Sequence, residues 1–404
     1  MKIHQPTRAA GLERLADFTA QAGFNYAHKR NFDYGPEADV EADPWRDNVS
    51  RLSPYIRHKL LTEQELIEAV IKVHGSQKAD KFITEILWRG YFRGWLEQRP
   101  EVWADYVTGR DDALRAMQKL GSQRKTYEQA LESRTGIDCF DFWMKELIDT
   151  GYLHNHARMW FASIWIFTLK LPWQIGADLF LQHLRDGDAA SNVLSWRWVG
   201  GLHTKGKSYQ ATKENIVQFT DGRFTAIGLA QEFVPLVESK SYKFRPLKVP
   251  PAPPAAAAFA LLVHEEDCHP ESLTLPGKPA LLIGVSGPDG KSPKGVADPV
   301  REFAQGAVTD ALTRGSGQFG CESVMWNKGQ KLADVMKTAG IERLIVPWLP
   351  TGPLKDAIGR EVNGCNPRWV MRNYDAAIWP LAKAGFFPVK KKAPDALAPL
   401  GILL

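Results

Sequence analysis

Apolar residues recur at helical spacing through the first half of the chain. Leu12, Leu15, Ala16 and Phe18 mark one helix over 11–22. A polar connector, YAHKRNFDYGPEADVEADPW, follows and ends near Pro44; residues 48–54 open a helix or short turn. Thr62 with Glu65 has the spacing of a capping box, which predicts a helix over 62–75 stopped by Gly75. Residues 79–98 predict a strongly aromatic helix ended by Pro100. Further helices are expected around 140–147, along 151–171 up to Pro172, and over 176–185. Nothing alternates with a period of two before about residue 235, so this part reads as all-helical.

The grammar then changes. KVPPAPPAAA over 248–257 is a Pro/Ala linker, too stiff to join a helix or a sheet. Beyond it, ALLIGV (280–285), ESVMW (322–326) and RLIV (343–346) are short buried-strand candidates. Helical stretches near 300–312 and 331–339 separate them, the order of a small parallel α/β layer. Gly315-Ser316-Gly317 reads as a loop. The expected organisation is a helical domain over 1–247, a linker over 248–258 and a small α/β domain over 259–404.

Composition narrows the class. The 404 residues are 44% hydrophobic and 24% charged, a globular balance, and the net charge of +5 leaves any attraction for an anionic partner to local clusters. Cys139, Cys268, Cys321 and Cys365 lie far apart, without metal-ligand or redox spacing, and read as free thiols; no metal site is expected. The N-terminus lacks an apolar signal core and no stretch is apolar enough to span a bilayer, so the chain reads as soluble and cytoplasmic.

Four clusters can carry chemistry. Ser50-Arg51-Leu52-Ser53 combines two hydroxyls, a guanidinium and loop amides, a set that grips phosphate or caps a helix. Glu85, Trp88 and Arg89 share a helix face at spacings of three and four, as an acid beside a stacking platform or as a salt bridge beside core. In His154-Asn155-His156-Ala157-Arg158-Met159 the two histidines diverge, which disfavours a metal, while Asn155 and Met159 share a face. Finally, LRDGDAASNVLSWRWVGG (184–201) crowds Asp186, Asp188, Asn192, Trp196 and Trp198 after a turn, and Lys205, Lys207 and Lys213 surround Tyr209 downstream. Acids, an amide and indoles suit an aromatic, hydroxyl-rich ligand; the same stretch also reads as a helix stop followed by core.

In this order, the clusters resemble the FAD-binding domain of the photolyase/cryptochrome family, over about residues 11–224. The resemblance implies FAD in an all-helical bundle, so the expected fold is mainly α with a small α/β domain after it. It implies that Tyr26, Ser50, Arg51, Leu52 and Ser53 lie near the FAD phosphates, with Val49 replacing a usual Thr. Arg89, Asn155, Arg158, Asp186, Asp188 and Asn192 would hold the rest of the cofactor, Asp186 pairing with Arg158 and Asn192 reaching the flavin ring. Glu85, Trp88, Met159 and Trp198 would face a DNA lesion, and Trp196 and Trp173 would carry electrons. The implied chemistry is light-driven electron transfer from reduced FAD to a pyrimidine lesion flipped out of damaged DNA, that of a deoxyribodipyrimidine photolyase, a carbon–carbon lyase.

Several positions depart from the family pattern. His156 stands where dimer-repairing members carry Arg, and Phe82 where a cofactor-contacting Trp is usual. No Trp occupies the outer electron-transfer position; Trp103 and Trp143 are off register. The family's N-terminal antenna domain is expected to be absent. These departures keep open a cryptochrome-like blue-light sensor whose C-terminal domain meets a signalling partner, and a light-independent flavoprotein.

Overall fold

The Thr62 box closes as the spacing requires: Thr62 Oγ1 accepts from the Glu65 amide, and Glu65 Oε2 accepts from the Thr62 amide at 2.8 Å. This computed structural model describes residues 4–35, 48–119, 121–254, 258–327 and 329–404; residues 36–45 of the connector and 255–257 of the linker fall outside them. The first eleven helices are α1 (Arg8–Thr19), α2 (Phe24–Lys29), α3 (Ser53–Arg57), α4 (Glu63–Glu97), α5 (Glu101–Met117), α6 (Gly121–Leu131), α7 (Asp138–Thr150), α8 (Asn155–Ser163), α9 (Trp173–His183), α10 (Ala189–Val199) and α11 (Lys213–Phe219). A π-helical turn, Ile164–Thr168, follows α8 directly. Among the described residues no strand precedes Ala260. Gly75 does interrupt α4, at φ 70° and ψ 162°, a conformation open mainly to glycine, but the helix resumes beyond it.

Five parallel strands follow: β1 (Ala260–His264), β2 (Leu281–Val285), β3 (Glu322–Met325), β4 (Leu344–Pro347) and β5 (Arg368–Val370). Their spatial order is β3-β2-β1-β4-β5. The helices of this layer are α12 (Asp298–Phe319), α13 (Leu332–Thr338), α14 (Pro353–Gly364), α15 (Asn373–Ile378) and α16 (Phe386–Leu397). β1, β2 and β4 are buried along their whole length, which is why β2 and β4 read as unbroken apolar runs rather than alternations. β3, expected to be buried too, is the edge strand of the sheet and is exposed along its length.

The Gly315–Gly317 loop expectation is wrong. These residues continue α12, and Gly315 is there because a Cβ would lie 2.7 Å from Leu282 Cδ1. Close packing of helix on strand overrides the local glycine signal.

The chain forms two compact units that do not follow chain order. One is drawn from residues 24–49 and 100–243, and holds α2 and α5 to α11. The other is drawn from 2–23, 50–99 and 244–404, so α1, α3 and α4 share a body with the parallel sheet. Within it, the Arg8 amide donates to Asp310 Oδ2 on α12, and Gly94 of α4 packs directly on the Trp379 backbone.

Candidate functional site

In the first unit, Asp186 and Arg158 meet, the pairing that the family resemblance implies. Arg158 donates through Nη1 to Asp186 Oδ1 (3.1 Å) and through Nη2 to Oδ2 (2.9 Å), while its Nε donates to the Leu153 carbonyl. The side chain of Asp186 is 4% exposed and that of Arg158 is 24% exposed. A two-point fork on a buried carboxylate fixes the guanidinium plane and leaves its outer edge in reach of a ligand. Asn155 is exposed at the start of α8, and Met159 is half-buried one turn later.

Asp188 is the N-cap of α10 and accepts from the Ser191 amide at 2.9 Å; Asn192 Nδ2 donates to the Ala177 carbonyl at 2.8 Å. Both side chains are therefore held by α9 and α10 rather than splayed. Tyr26 is buried on α2.

Trp196 is buried among Phe161, Trp165 and Phe180, with ring centroids 6.4, 6.3 and 5.1 Å away. Its Nε1 finds no acceptor among the described residues. Trp173 edges a cleft of about 380 Å³ that Tyr106, Arg197, Glu238 and Tyr242 also line. Its ring lies 5.8 Å from Tyr106, and Tyr106 lies 5.3 Å from Trp103. Trp103, off register in sequence, thus stands two rings from Trp173. Trp143 instead donates to Asp33 Oδ2.

Trp198 is stacked on Tyr209 at 5.5 Å. His156 bridges Tyr209 Oη (3.2 Å) and the Asn31 carbonyl (2.9 Å) and stacks on Trp160. Burial lowers its pKa, against the opposing pull of the Asn31 carbonyl and the Asp33 charge, so it is a neutral structural bridge and no substitute for an arginine cation. Sequence spacing gave no sign of this bridge. Lys205, Lys207 and Lys213 are exposed.

In the second unit, Ser50 Oγ accepts from the Leu52 amide, and Arg51 takes a left-handed φ of 52° with its carbonyl hydrogen-bonded to His4. Leu52 is fully buried, while Ser50 and Ser53 keep partial exposure. Left-handed backbone at a non-glycine residue is a constraint that the surrounding structure must hold.

On α4, Glu85 is exposed and Trp88 partly so. Phe386 of α16 stacks on Trp88 with centroids 3.7 Å apart and planes 10° apart. One indole face is therefore already covered. Arg89 Nε lies 3.9 Å from Glu63, within a buried ionic cluster in which Lys59 Nζ reaches Glu63 (2.7 Å) and Asp375 (3.0 Å). Burial alone would raise the Glu63 pKa; Lys59 and Arg89 outweigh it and hold the carboxyl ionised. Glu266, two residues beyond β1, likewise accepts from Arg57 (2.6 Å) and Arg93 (3.3 Å). Phe386, Asp375 and Glu266 lie far along the chain from α4, and no local pattern announces them as its partners.

Tested against the FAD that the resemblance implies, each unit by itself carries groups of suitable chemistry. The first unit offers a fixed guanidinium edge, an exposed amide and a buried indole N–H without an acceptor. The second offers two hydroxyls flanking a constrained turn. Among the described residues no group of His, Cys, Asp and Glu is arranged to hold a metal ion, and no helix is long and apolar enough to cross a membrane.

Comparison with known proteins bears on the same stretch. The family profile described as the FAD binding domain of DNA photolyase matches residues 82–242. A deoxyribodipyrimidine photo-lyase from Streptomyces griseus is 34% identical over 174 residues, 42% of this chain and 36% of that protein. One from Thermus thermophilus is 34% identical over 215 residues, 52% of this chain and 46% of that protein. A solved cryptochrome from Synechocystis is 22% identical with a TM-score of 0.44, over 53% of this chain and 43% of the other. The chain therefore spans less than half the length of these relatives. The matched stretch contains every candidate residue from Glu85 to Trp198 and leaves out Tyr26, Ser50–Ser53 and the parallel sheet.

Proposed function

We propose, for a chain that belongs to the photolyase/cryptochrome family through its FAD-binding domain, a FAD flavoprotein that acts on pyrimidine lesions in DNA under blue light. The observation that carries this reading is the buried Arg158–Asp186 fork, set between Asn155 and Asn192 inside the matched stretch. Bound FAD would supply the light absorption and the single electron lent to the lesion.

The protein's own residues position and tune. Arg158, Asp186, Asp188, Asn192, Asn155 and Arg89 orient the cofactor, and Tyr26 with Ser50, Arg51, Leu52 and Ser53 takes its phosphates. Glu85 presents a carboxyl to the lesion, Trp88, Trp198 and Met159 offer it apolar and stacking surface, and Trp196 with Trp173 relays electrons inward. A lesion must leave the base stack to reach such a site, which a damaged pair does at less cost than an intact one.

The test is direct. The protein should release FAD on denaturation, after reconstitution with excess cofactor, and should remove pyrimidine dimers in blue light but not in the dark. Absence of FAD overturns the reading altogether.

A second reading, a cryptochrome-like light sensor with FAD photoreduction and no repair, is favoured by one set of contacts. Phe386 covers a face of Trp88, Tyr209 covers a face of Trp198, and His156 is a neutral bridge. FAD photoreduction without dimer loss selects it.

A further inference from the structure

We propose that the outward face of α16 is a DNA-docking surface, with Phe387 as its stacking residue and Lys391 and Lys392 as its phosphate contacts. The proposal rests on the DNA reading above, and nothing in the family match covers this helix, which lies beyond residue 242.

The helix, FFPVKKKAPDAL, divides cleanly. Phe386, Val389, Ala393 and Leu397 are buried, a stripe at spacings of three and four. Phe387 is 77% exposed, and Lys391, one turn on and on the same face, is exposed with Lys392. Phe387 meets Phe386 edge-on, with centroids 5.8 Å apart, yet stays mostly in water beside the lysine pair. Opposing charges are few: Asp80 of α4 is already paired with Lys390 at 2.9 Å, Asp395 lies a turn further along α16, and Glu85 stands on α4.

Phe386, the neighbour of Phe387 and 5.8 Å from it, is the ring stacked on Trp88. The basic face therefore begins next to the indole that the candidate site offers to bases. Cations beside an aromatic platform are what a nucleic-acid strand recognises, the cations following phosphates and the ring taking a base. An anionic membrane is the weaker match. The apolar stripe of α16 is spent on the protein interior, so only Phe387 remains to insert, whereas interfacial helices bury a whole apolar face in the lipid.

Fluorescence anisotropy of the full chain on a short duplex and a single-stranded oligonucleotide, across a salt series, tests this. With Lys391→Ala and Lys392→Ala combined, the slope of log affinity on log salt for duplex should shrink by about 1.8, two contacts at about 0.9 each. Phe387→Ala should weaken single-strand binding by roughly five-fold or more at an unchanged slope, and Phe387→Trp should restore it. All three positions are exposed, so the melting temperature should hold and report folding separately. Wild-type protein that binds no DNA overturns the DNA reading and this surface together. Wild-type binding with an unchanged slope in the lysine variant overturns the surface alone. So does tighter lysine-dependent binding to phosphatidylserine vesicles than to DNA.

Discussion

Asp186 is the residue on which the candidate site can be tested most simply. Asp186→Ala leaves Arg158 without its fork. Breaking a buried ion pair from one side costs about 3–5 kcal/mol. Arg158 keeps some contact with water, so about 3 kcal/mol is expected in urea unfolding, together with loss of bound FAD. A variant that unfolds like wild type would mean the fork contributes little. His269 gives a second test at this scale. Burial first, then the Arg372 and Arg8 charges, push its pKa down to about 3 from 6.5. The unfolded chain therefore takes up the proton first as pH falls, and stability is full above about pH 6.5 and declines toward pH 3. His156, His183 and His264 are shifted the same way by burial. His269→Asn should thus lessen, not abolish, the fall in urea midpoint between pH 7.5 and 5; an equal fall in both proteins speaks against it. What was legible at this scale came through the family resemblance, which implied that Asp186 pairs with Arg158, and the two do meet. What was not legible was the state of each group. That His156 forms a bridge depends on Asn31 and Tyr209, both outside its own helix, and that it is neutral depends on its burial, which outweighs the pull of the Asn31 carbonyl.

At the scale of elements, close approach of helices decides more than propensity. Gly176 of α9 leaves room for Trp196 of α10: a Cβ there would fall inside the indole, and 2.9 Å from Trp165 Nε1. Gly176→Ala should cost about 1–3 kcal/mol, since Phe161, Trp165 and Phe180 leave the ring nowhere to go. If the photoreduction reading holds, Trp196→Phe should slow FAD photoreduction sharply and Gly176→Ala should alter it by displacing the same ring. Unchanged rates in both would send the electron by another route. The same physics explains where sequence reading succeeded and failed. The capping box at Thr62 and the Gly75 break were legible because each rests on contacts within a few residues, and β2 and β4 because full burial makes them unbroken apolar runs. β3 was legible as a strand but not as the exposed edge it is. Gly315-Ser316-Gly317 was misread, because its helical state is set by packing on Leu282. β1 and β5 were not singled out; β5 is only three residues long. The stacking of Phe386 on Trp88 joins residues with no shared local pattern, so no periodicity could show it.

For the whole molecule the question is whether light-driven chemistry on DNA follows from a family match that spans less than half of its relatives' length. The +5 net charge is small for 404 residues, so binding must come from local clusters, Lys205, Lys207 and Lys213 among them. Affinity should fall steeply with salt, at about −0.9 in slope for each phosphate contact. Dimer-bearing duplex should bind better than intact duplex, because the damaged pair is cheaper to unstack before it meets Trp88 and Trp198. Glu85→Gln separates docking from chemistry. Glu85 is exposed on α4, and exchanging its carboxylate for an amide keeps its size and one acceptor. Lesion binding should stay nearly intact. Dimer loss per absorbed photon should drop, because a carboxyl that acts on the reduced lesion is needed only after the electron has arrived. Equal affinity for damaged and intact duplex, with FAD bound and no dimer loss in light, would move the assignment to the light sensor. In that case the coverage of Trp88 by Phe386 would be a closed stacking site rather than a firm backing for one.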